Sequence, residues 1–270
     1  MRACSRRPPP SRSRTSKVAD LTLIREVEQA ALRAWPALEQ CDEAGWLVRL
    51  AGGYTKRANS ITALQPCAPA SEAQVALCEA LYRERGLPPI FRLVEPLAPE
   101  GLDDLLARRG YGVVEPSLVL AAPLSALGIA QPRHPLCIEH DIESWLAAYQ
   151  AVSGSALPQA AHGRILAAIA GRVQLATIRQ EGAPVACALA VAEGAYVGLY
   201  DLAVAPAWRR QGLGRALVMG LLRWGCDAGA AWAYLQVVEA NAVARALYEG
   251  LGFQRLYGYW YRVGTVGPTG

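Results

Sequence analysis

The sequence predicts an α/β protein, a mixed central sheet flanked by helices, and three observations lead there. Segments with apolar residues at helical spacing alternate with short apolar or alternating runs along the whole chain. Hydrophobic residues make up 53% of the 270 residues and charged residues 19%, enough apolar material for a substantial core. No uninterrupted apolar run approaches the roughly 18 residues of a membrane-crossing helix, so no membrane partner is expected.

The elements follow in order. Leu21, Ile24, Val27, Ala31 and Leu32 recur at helical spacing up to Trp35. Gly45 to Leu50 reads as a strand, and Ser60 to Leu64 as another. Ser71 is an N-cap for a helix ending near Gly86, with Gln74 completing a capping-box pattern. Ile90 to Val94 is a short strand between prolines, Leu102 to Arg109 a helix stopped by Gly110, and Val113 to Ala121 a strand. Prolines and a glycine mark Ala122 to Pro135 as a linker.

Beyond the linker, Cys137 to Glu139 is a short strand, followed by helices over Ile142 to Val152 and Ala161 to Ala170. Val173 to Arg179 and Ala183 to Ala192 are strands around a turn containing Gly182. Tyr196 to Val204 is a third strand, before a loop and a long helix from Gly212 to Ala228. Ala231 to Val238 is a strand, Asn241 to Leu251 a helix, and Phe253 to Val263 closes with strand pairs. The division is a tail over 1–17, one α/β unit over 18–121, a linker over 122–135 and a second unit over 136–270.

The net charge of +4 belongs to the tail. Six of the 27 basic residues precede Asp20, which leaves 21 basic against 23 acidic residues, a balance of −2. The body carries no overall basic field, so no nucleic-acid partner is expected. The tail is rich in Arg, Ser and Pro, lacks the apolar segment of a secretory signal, and reads as disordered. Seven scattered cysteines without a CxxC indicate neither a disulfide framework nor a zinc site, and place the chain in a reducing cytoplasm. His134, His140 and His162 are dispersed, and no metal is expected.

Leu199 to Gly214, LYDLAVAPAWRRQGLG, carries the chemistry. A strand ends at Val204, Pro206 breaks its ladder, and Gly212 and Gly214 lead into an amphipathic helix. The first turn of a helix offers unpaired N–H groups and the positive end of its dipole, and glycines let a phosphate approach the backbone. Arg209, Arg210 and Arg215 add charge suited to a pyrophosphate or a ribose phosphate. The pattern is RxxGxG, distinct from the P-loop and from the dinucleotide GxGxxG.

Following a strand that ends in LAVAP, this loop resembles the coenzyme A pyrophosphate loop of the GNAT superfamily of acyl-CoA-dependent N-acyltransferases. Asn241 to Phe253, NAVARALYEGLGF, is similar to the second characteristic block of that family, and the resemblance covers about residues 137 to 263. It implies that acetyl-CoA, or another acyl-CoA, is the co-substrate. It places the pyrophosphate over Arg209, Arg210, Gln211, Gly212, Leu213, Gly214 and Arg215, and the thioester beside Leu202, Ala203 and Val204. Asn241 is either a contact to the pantetheine arm or only the N-cap of its helix. Tyr248 is implied as the acid that protonates the leaving sulfur, although its ring also reads as a core aromatic.

Acyl transfer needs a proton acceptor for the amine, a donor to the oxyanion and a proton for the sulfur. The resemblance assigns the oxyanion to a backbone N–H around Leu202 to Val204. Asp201 and Glu239 are the two carboxylates within reach as base, with Asp201 preferred; strand alternation turns it opposite to Tyr200 and Leu202.

Residues 18–121 resemble a degenerate copy of the same fold, giving a tandem architecture. ARRGYGVVEPSLVL is similar to the end of a GNAT domain, but QPCAPA stands where a cradle would. GGYTKRANS, Gly52 to Ser60, is either a wall of an acceptor cleft or a solvated hairpin, and a charge run is more commonly the latter. The expected activity is acetyl transfer to the amine of a small molecule. The rival readings are an acyl-CoA sensor without turnover and an interaction module.

Overall fold

Two-residue turns set much of the strand order. The computed structural model describes residues 14–63, 69–155 and 159–265, with the side chains of 14–20 and 159 outside that description. A helix α1, Arg14–Ala34, leads into strands β1, Glu39–Glu43, and β2, Trp46–Leu50. Ala44 and Gly45 join these strands with φ of 50° and 83°, and the Gly45 N–H donates to Asp42. Two successive left-handed residues match the twist of a hairpin. Glu181 and Gly182 do the same, with φ of 50° and 83°, between β7, Arg172–Gln180, and β8, Ala183–Glu193.

The remaining elements are β3, Ile61–Ala63; α2, Glu72–Arg83; β4, Ile90–Val94; α3, Leu102–Arg108; and β5, Gly112–Pro123. A short 3₁₀ turn, Leu124–Ala126, begins the expected linker. Then come β6, Cys137–Glu139; α4, Ile142–Ser153; α5, Gln159–Ala167; β9, Tyr196–Val204; α6, Leu213–Asp227; β10, Trp232–Val238; α7, Ala242–Glu249; and β11, Gln254–Val263.

Several sequence expectations change. Residues 1–13 of the tail, and 64–68 before α2, lie outside the described residues. Arg14 to Lys17, expected in the tail, belong to α1, because no Pro or Gly interrupts the chain between Pro10 and Trp35. β1 was not expected, since EQCDE is polar; it is a solvent-exposed edge strand. Ser71 caps α2 through its hydroxyl, but Gln74 donates to the Ala44 carbonyl and does not close the reciprocal box.

All strands described join one sheet in the order β1-β2-β3-β4-β11-β5-β10-β9-β8-β7-β6. The closing segment, expected as strand pairs, is the single strand β11, and it sits between β4 and β5. Each half carries a parallel neighbour pair, β3 with β4 and β9 with β10, and neither half closes its own edge. β5 leaves the first half to pair antiparallel with β10, and β11 leaves the second to pair antiparallel with β4. The two exchanged strands also pair with each other, from Gln254 opposite Ala121 to Val263 opposite Gly112.

Buried side chains form three clusters. α6 and α7 cover one face of the second half, α2 and α3 pack on the first, and α1, α4 and α5 meet across the middle of the sheet. In that middle cluster a buried ion pair ties α1 to the seam. Arg92 of β4 gives both guanidinium nitrogens to Glu28, one at 2.8 Å, and stacks 4.0 Å from the Tyr259 ring. The Tyr257 hydroxyl donates to the same carboxylate. Burial opposes the Arg92 charge, yet Glu28 holds its pKa well above the ordinary arginine value.

Among the described residues, no helix is long and apolar enough to cross a membrane, and no group of His, Cys, Asp or Glu is placed to hold a metal ion. Arg92→Met leaves Glu28 buried without its partner, so urea denaturation should show a loss of about 3–5 kcal/mol. Lys56→Ala, which breaks a half-exposed pair with Glu115, should cost about 1 kcal/mol or less in the same measurement.

Candidate active site

The site begins where two parallel strands part. β9 and β10 pair from Tyr196 opposite Trp232 to Leu199 opposite Leu235, and beyond that point their facing backbone groups no longer meet. The opposite edge of β10 stays on β5 to its end, through Val238 opposite Ser117. On its other side β9 bulges: Leu189 faces Tyr200 and Cys187 faces Ala203, so Asp201 and Leu202 together oppose one residue. Asp201 carries the strain, with φ of 51°. The bulge overrides the alternation expected from the sequence, and it aims the Asp201 carboxylate out of the regular pleat.

Aromatic side chains surround that carboxylate. Its Oδ2 lies 2.9 Å from Nε2 of His162 on α5, although the two groups are out of line for a hydrogen bond and neither atom has an aligned partner among the described residues. The His162 ring is enclosed by Tyr54 at 5.3 Å, Trp35 at 5.5 Å, Tyr149 at 5.3 Å and Trp145 at 5.8 Å. Burial, then the Asp201 charge, push the Tyr149 phenol up to about 12 and the Cys187 thiol up to about 12, and raise Tyr54 in the same way. All three stay protonated at neutral pH.

The Gly52 to Ser60 segment is part of this wall, not a solvated hairpin. Asn59 accepts from the N–H of Ala51 at 2.6 Å and of Gly53 at 3.0 Å, and donates to the carbonyls of Tyr54 and Thr55 at 2.6 Å and 2.9 Å. Buried Arg49 donates to the carbonyls of Arg57 at 2.7 Å and Leu32 at 3.0 Å. So pinned, the loop sets Arg57 over the rings of Trp35 at 5.2 Å and Tyr200 at 5.5 Å. Burial opposes the Arg57 charge, but Tyr259, Tyr261, Tyr200 and Asp201 together hold its pKa above the ordinary value. The Tyr200 and Tyr234 hydroxyls meet at 2.9 Å, packed so closely on Gly198 that a Cβ there would fall 2.6 Å from the Tyr234 ring.

The loop after β9 is built as an anion cradle. Gly212 is the N-cap of α6 at φ 83° with no side chain capping the helix, and the space beyond its Cα is open. This glycine is the one whose conformation the cradle requires. Gly214 lies inside the helix, where an added Cβ would meet Leu247, Val204 and Leu202 at ordinary contact distance, and the Leu213 side chain is buried in the core. Arg209 donates to the Val204 carbonyl at 3.1 Å, and Arg210, at φ 63°, is exposed beside it. Gln211, Gly212 and Arg215 line a cleft of about 610 Å³ whose other wall is the linker, Ala130 to His134. An uncapped helix start, adjoining arginines and an open glycine fit a pyrophosphate.

The other expected residues are placed as follows. Asn241 caps α7, accepting from the Ala244 N–H at 3.1 Å, which is the cap role. Tyr248 is buried edge-to-face against Phe253, and burial pushes its phenol up to about 12. Glu239 is exposed past the end of β10, its backbone N–H held by the Pro116 carbonyl. The sequence offered Tyr54 and Arg57 only within the Gly52 to Ser60 stretch and His162 only as a dispersed histidine, and it gave Tyr149 no role; none shares a spacing with Asp201 that would group them.

The model of a family described as "Probable histone acetyltransferase Rv0428c C-terminal" matches residues 22–262. The "Uncharacterized N-acetyltransferase YobR" of Bacillus subtilis (strain 168) is 28% identical over 247 residues, covering 89% of this chain and 98% of that one. A GCN5-related N-acetyltransferase from Kribbella flavida superposes with a TM-score of 0.69 at 20% identity, over 93% of this chain and 97% of that one. A tandem GNAT protein from the clavulanic acid biosynthesis pathway does so with a TM-score of 0.56 at 17% identity, over 73% and 70% of the two chains. Gly198→Ala should drive the Tyr200 and Tyr234 rings apart and lower stability by about 1–3 kcal/mol in chemical denaturation.

Proposed function

The chain belongs to the Rv0428c C-terminal acetyltransferase family and is an N-acetyltransferase of the GNAT type, and from that premise we propose that it moves acetyl from acetyl-CoA to the amine of a small molecule held at the seam between its halves. The observation that carries this reading is the Asp201 carboxylate, raised on a bulge at the point where β9 and β10 part and walled by aromatic rings from both halves. An anion among aromatic faces suits a protonated amine.

The cradle at Gly212, with Arg209, Arg210 and Arg215, takes the pyrophosphate of acetyl-CoA. The parting of β9 and β10 gives the pantetheine arm a path to the strand edge at Leu202 to Val204. The thioester supplies an activated acetyl group and a thiolate leaving group.

Asp201 accepts the proton of the incoming ammonium, and the free amine attacks the carbonyl carbon. A backbone N–H between Leu202 and Val204 stabilises the tetrahedral oxyanion. Collapse expels the thiolate, which takes its proton from Tyr248. Of the two carboxylates weighed for the base, Glu239 is exposed and its side chain has no hydrogen-bond or ion-pair partner among the described residues, which favours Asp201. Arg57, over Trp35 and Tyr200 and without a carboxylate partner among the described residues, meets an electronegative part of the acceptor. The tandem copy supplies one wall of the acceptor site, in place of a second cofactor site.

Calorimetric titration with acetyl-CoA tests the reading. The parent should bind, and an Arg209→Ala, Gly212→Ala variant should lose at least tenfold in affinity, roughly 1.4 kcal/mol. Absence of binding by the parent would give first place to the interaction module.

With an amine found by screening, Tyr248→Phe should lower kcat about a hundredfold. It should leave the shape of the pH–rate profile unchanged between about pH 6 and 10. The sign follows from burial, which disfavours the phenolate, so a phenol raised to about 12 remains protonated across that range.

A further inference from the structure

The strongest unassigned feature is a buried histidine whose Nε2 has no aligned partner among the described residues and lies beside a carboxylate. His162 is 3% exposed, and its Nε2 and Oδ2 of Asp201 are both buried atoms without an aligned partner, 2.9 Å apart. Leaving two buried polar atoms unsatisfied is costly, and at 2.9 Å each is the polar atom placed to satisfy the other. The ring is held on four sides. α1 contributes Trp35, α4 contributes Trp145 and Tyr149, and the loop after β2 contributes Tyr54.

We propose that His162 is the positioning residue behind Asp201 and the terminal acceptor of the proton removed from the substrate amine. This assignment rests on the acetyl-transfer reading. The ammonium gives its proton to Asp201, and Asp201 passes it across the 2.9 Å gap to His162, regenerating the carboxylate. The amine becomes neutral, the imidazole becomes imidazolium, and charge balances without a further reactant. The proton leaves later to solvent, which resets the pair.

The surroundings suit an imidazolium. The face of Tyr54 stacks on the ring at an interplanar angle of 28°, and Trp35 lies tilted beside it; both offer π density to a cation. The titratable groups facing the pair are Asp201 and Cys187 from the sheet, Tyr54 and Arg57 from the loop and Tyr149 from α4. The tyrosines and the cysteine are neutral, which leaves Asp201 and Arg57 as the charged groups beside the ring. Buried as it is, His162 does not touch the acceptor and acts only through Asp201.

Proton-detected titration of the histidine rings in the full chain tests the coupling without an acceptor amine. The chain has three histidines, and His162 is assigned by the signal lost in His162→Gln. Should that variant not fold, His134→Gln and His140→Gln leave its signal alone. The ring should titrate, and Asp201→Asn should lower its midpoint by about one pH unit, a tenfold loss of proton affinity.

An unchanged midpoint, or a ring that never titrates before the chain unfolds, overturns the proposal. Calorimetry with acetyl-CoA on the same samples separates the two ideas. Binding without coupling removes the relay alone, whereas coupling without binding removes the acetyl-transfer reading. With a turned-over amine, His162→Gln should lower kcat at least tenfold, shift the acid limb of the pH profile and leave the KM for acetyl-CoA unchanged.

Discussion

The exchange of closing strands between the halves is the constraint on which the rest of the structure depends. β10 ends its parallel pairing with β9 at Leu235, and its last residues keep only the neighbour on their opposite edge. That neighbour is β5, which follows β10 to its end with Val119 to Ser117 opposite Gln236 to Val238. β11 repays the arrangement on the first half by covering β4. An opening in the middle of a sheet is thereby held from both sides by backbone ladders, and the two halves cannot separate without breaking their shared β5–β11 pairing.

The exchange also explains why the site draws on the whole chain. β11 carries Tyr257, Tyr259 and Tyr261 onto the face that α1 covers, and Glu28 and Arg92 lock α1 there. Trp35, just past the end of that helix, then stacks on Tyr200 of β9 at 5.6 Å and fixes one side of the aromatic wall around Asp201. The first half lacks the RxxGxG pattern before its helix, yet it positions Tyr54 and Arg57 through a loop whose backbone is satisfied by Asn59 and Arg49. Burial and the neighbouring Arg92 cation pull Arg49 down to about 10. A guanidinium so placed serves the carbonyls of Leu32, Trp35 and Arg57 at once, which is what a charged residue in that position contributes.

What could be read from the sequence was local. Ile90–Val94, Cys137–Glu139 and Tyr196–Val204 match the expected bounds because short apolar runs between breakers leave little choice. The left-handed Gly212 at the start of α6 was legible because a glycine there, beside arginines and after a strand, marks a helix start with an open backbone. The partner of β11 was not legible, since strand pairing depends on which edge is free in the finished sheet. The Asp201 bulge was not legible either: DLAV reads as regular alternation, and the extra residue shows only against the register of β8. The aromatic wall spans Trp35 to Tyr200 and has no spacing at all.

The bulge links these two kinds of information. A regular strand would have placed Asp201 opposite Tyr200, on the face away from α1 and α5, where it would meet neither His162 nor Arg57. Fitting one extra residue against Ala188 turns the carboxylate toward the seam at the cost of a left-handed, non-glycine backbone. Such strain, about 1–3 kcal/mol by general experience, persists only where the surroundings over-determine it. Here the ladders of β8 and the Tyr200–Tyr234 contact fix β9 on either side of the bulge. The stability of the exchanged sheet is therefore what holds a strained carboxylate at the mouth of the site, and fold and chemistry meet at that residue.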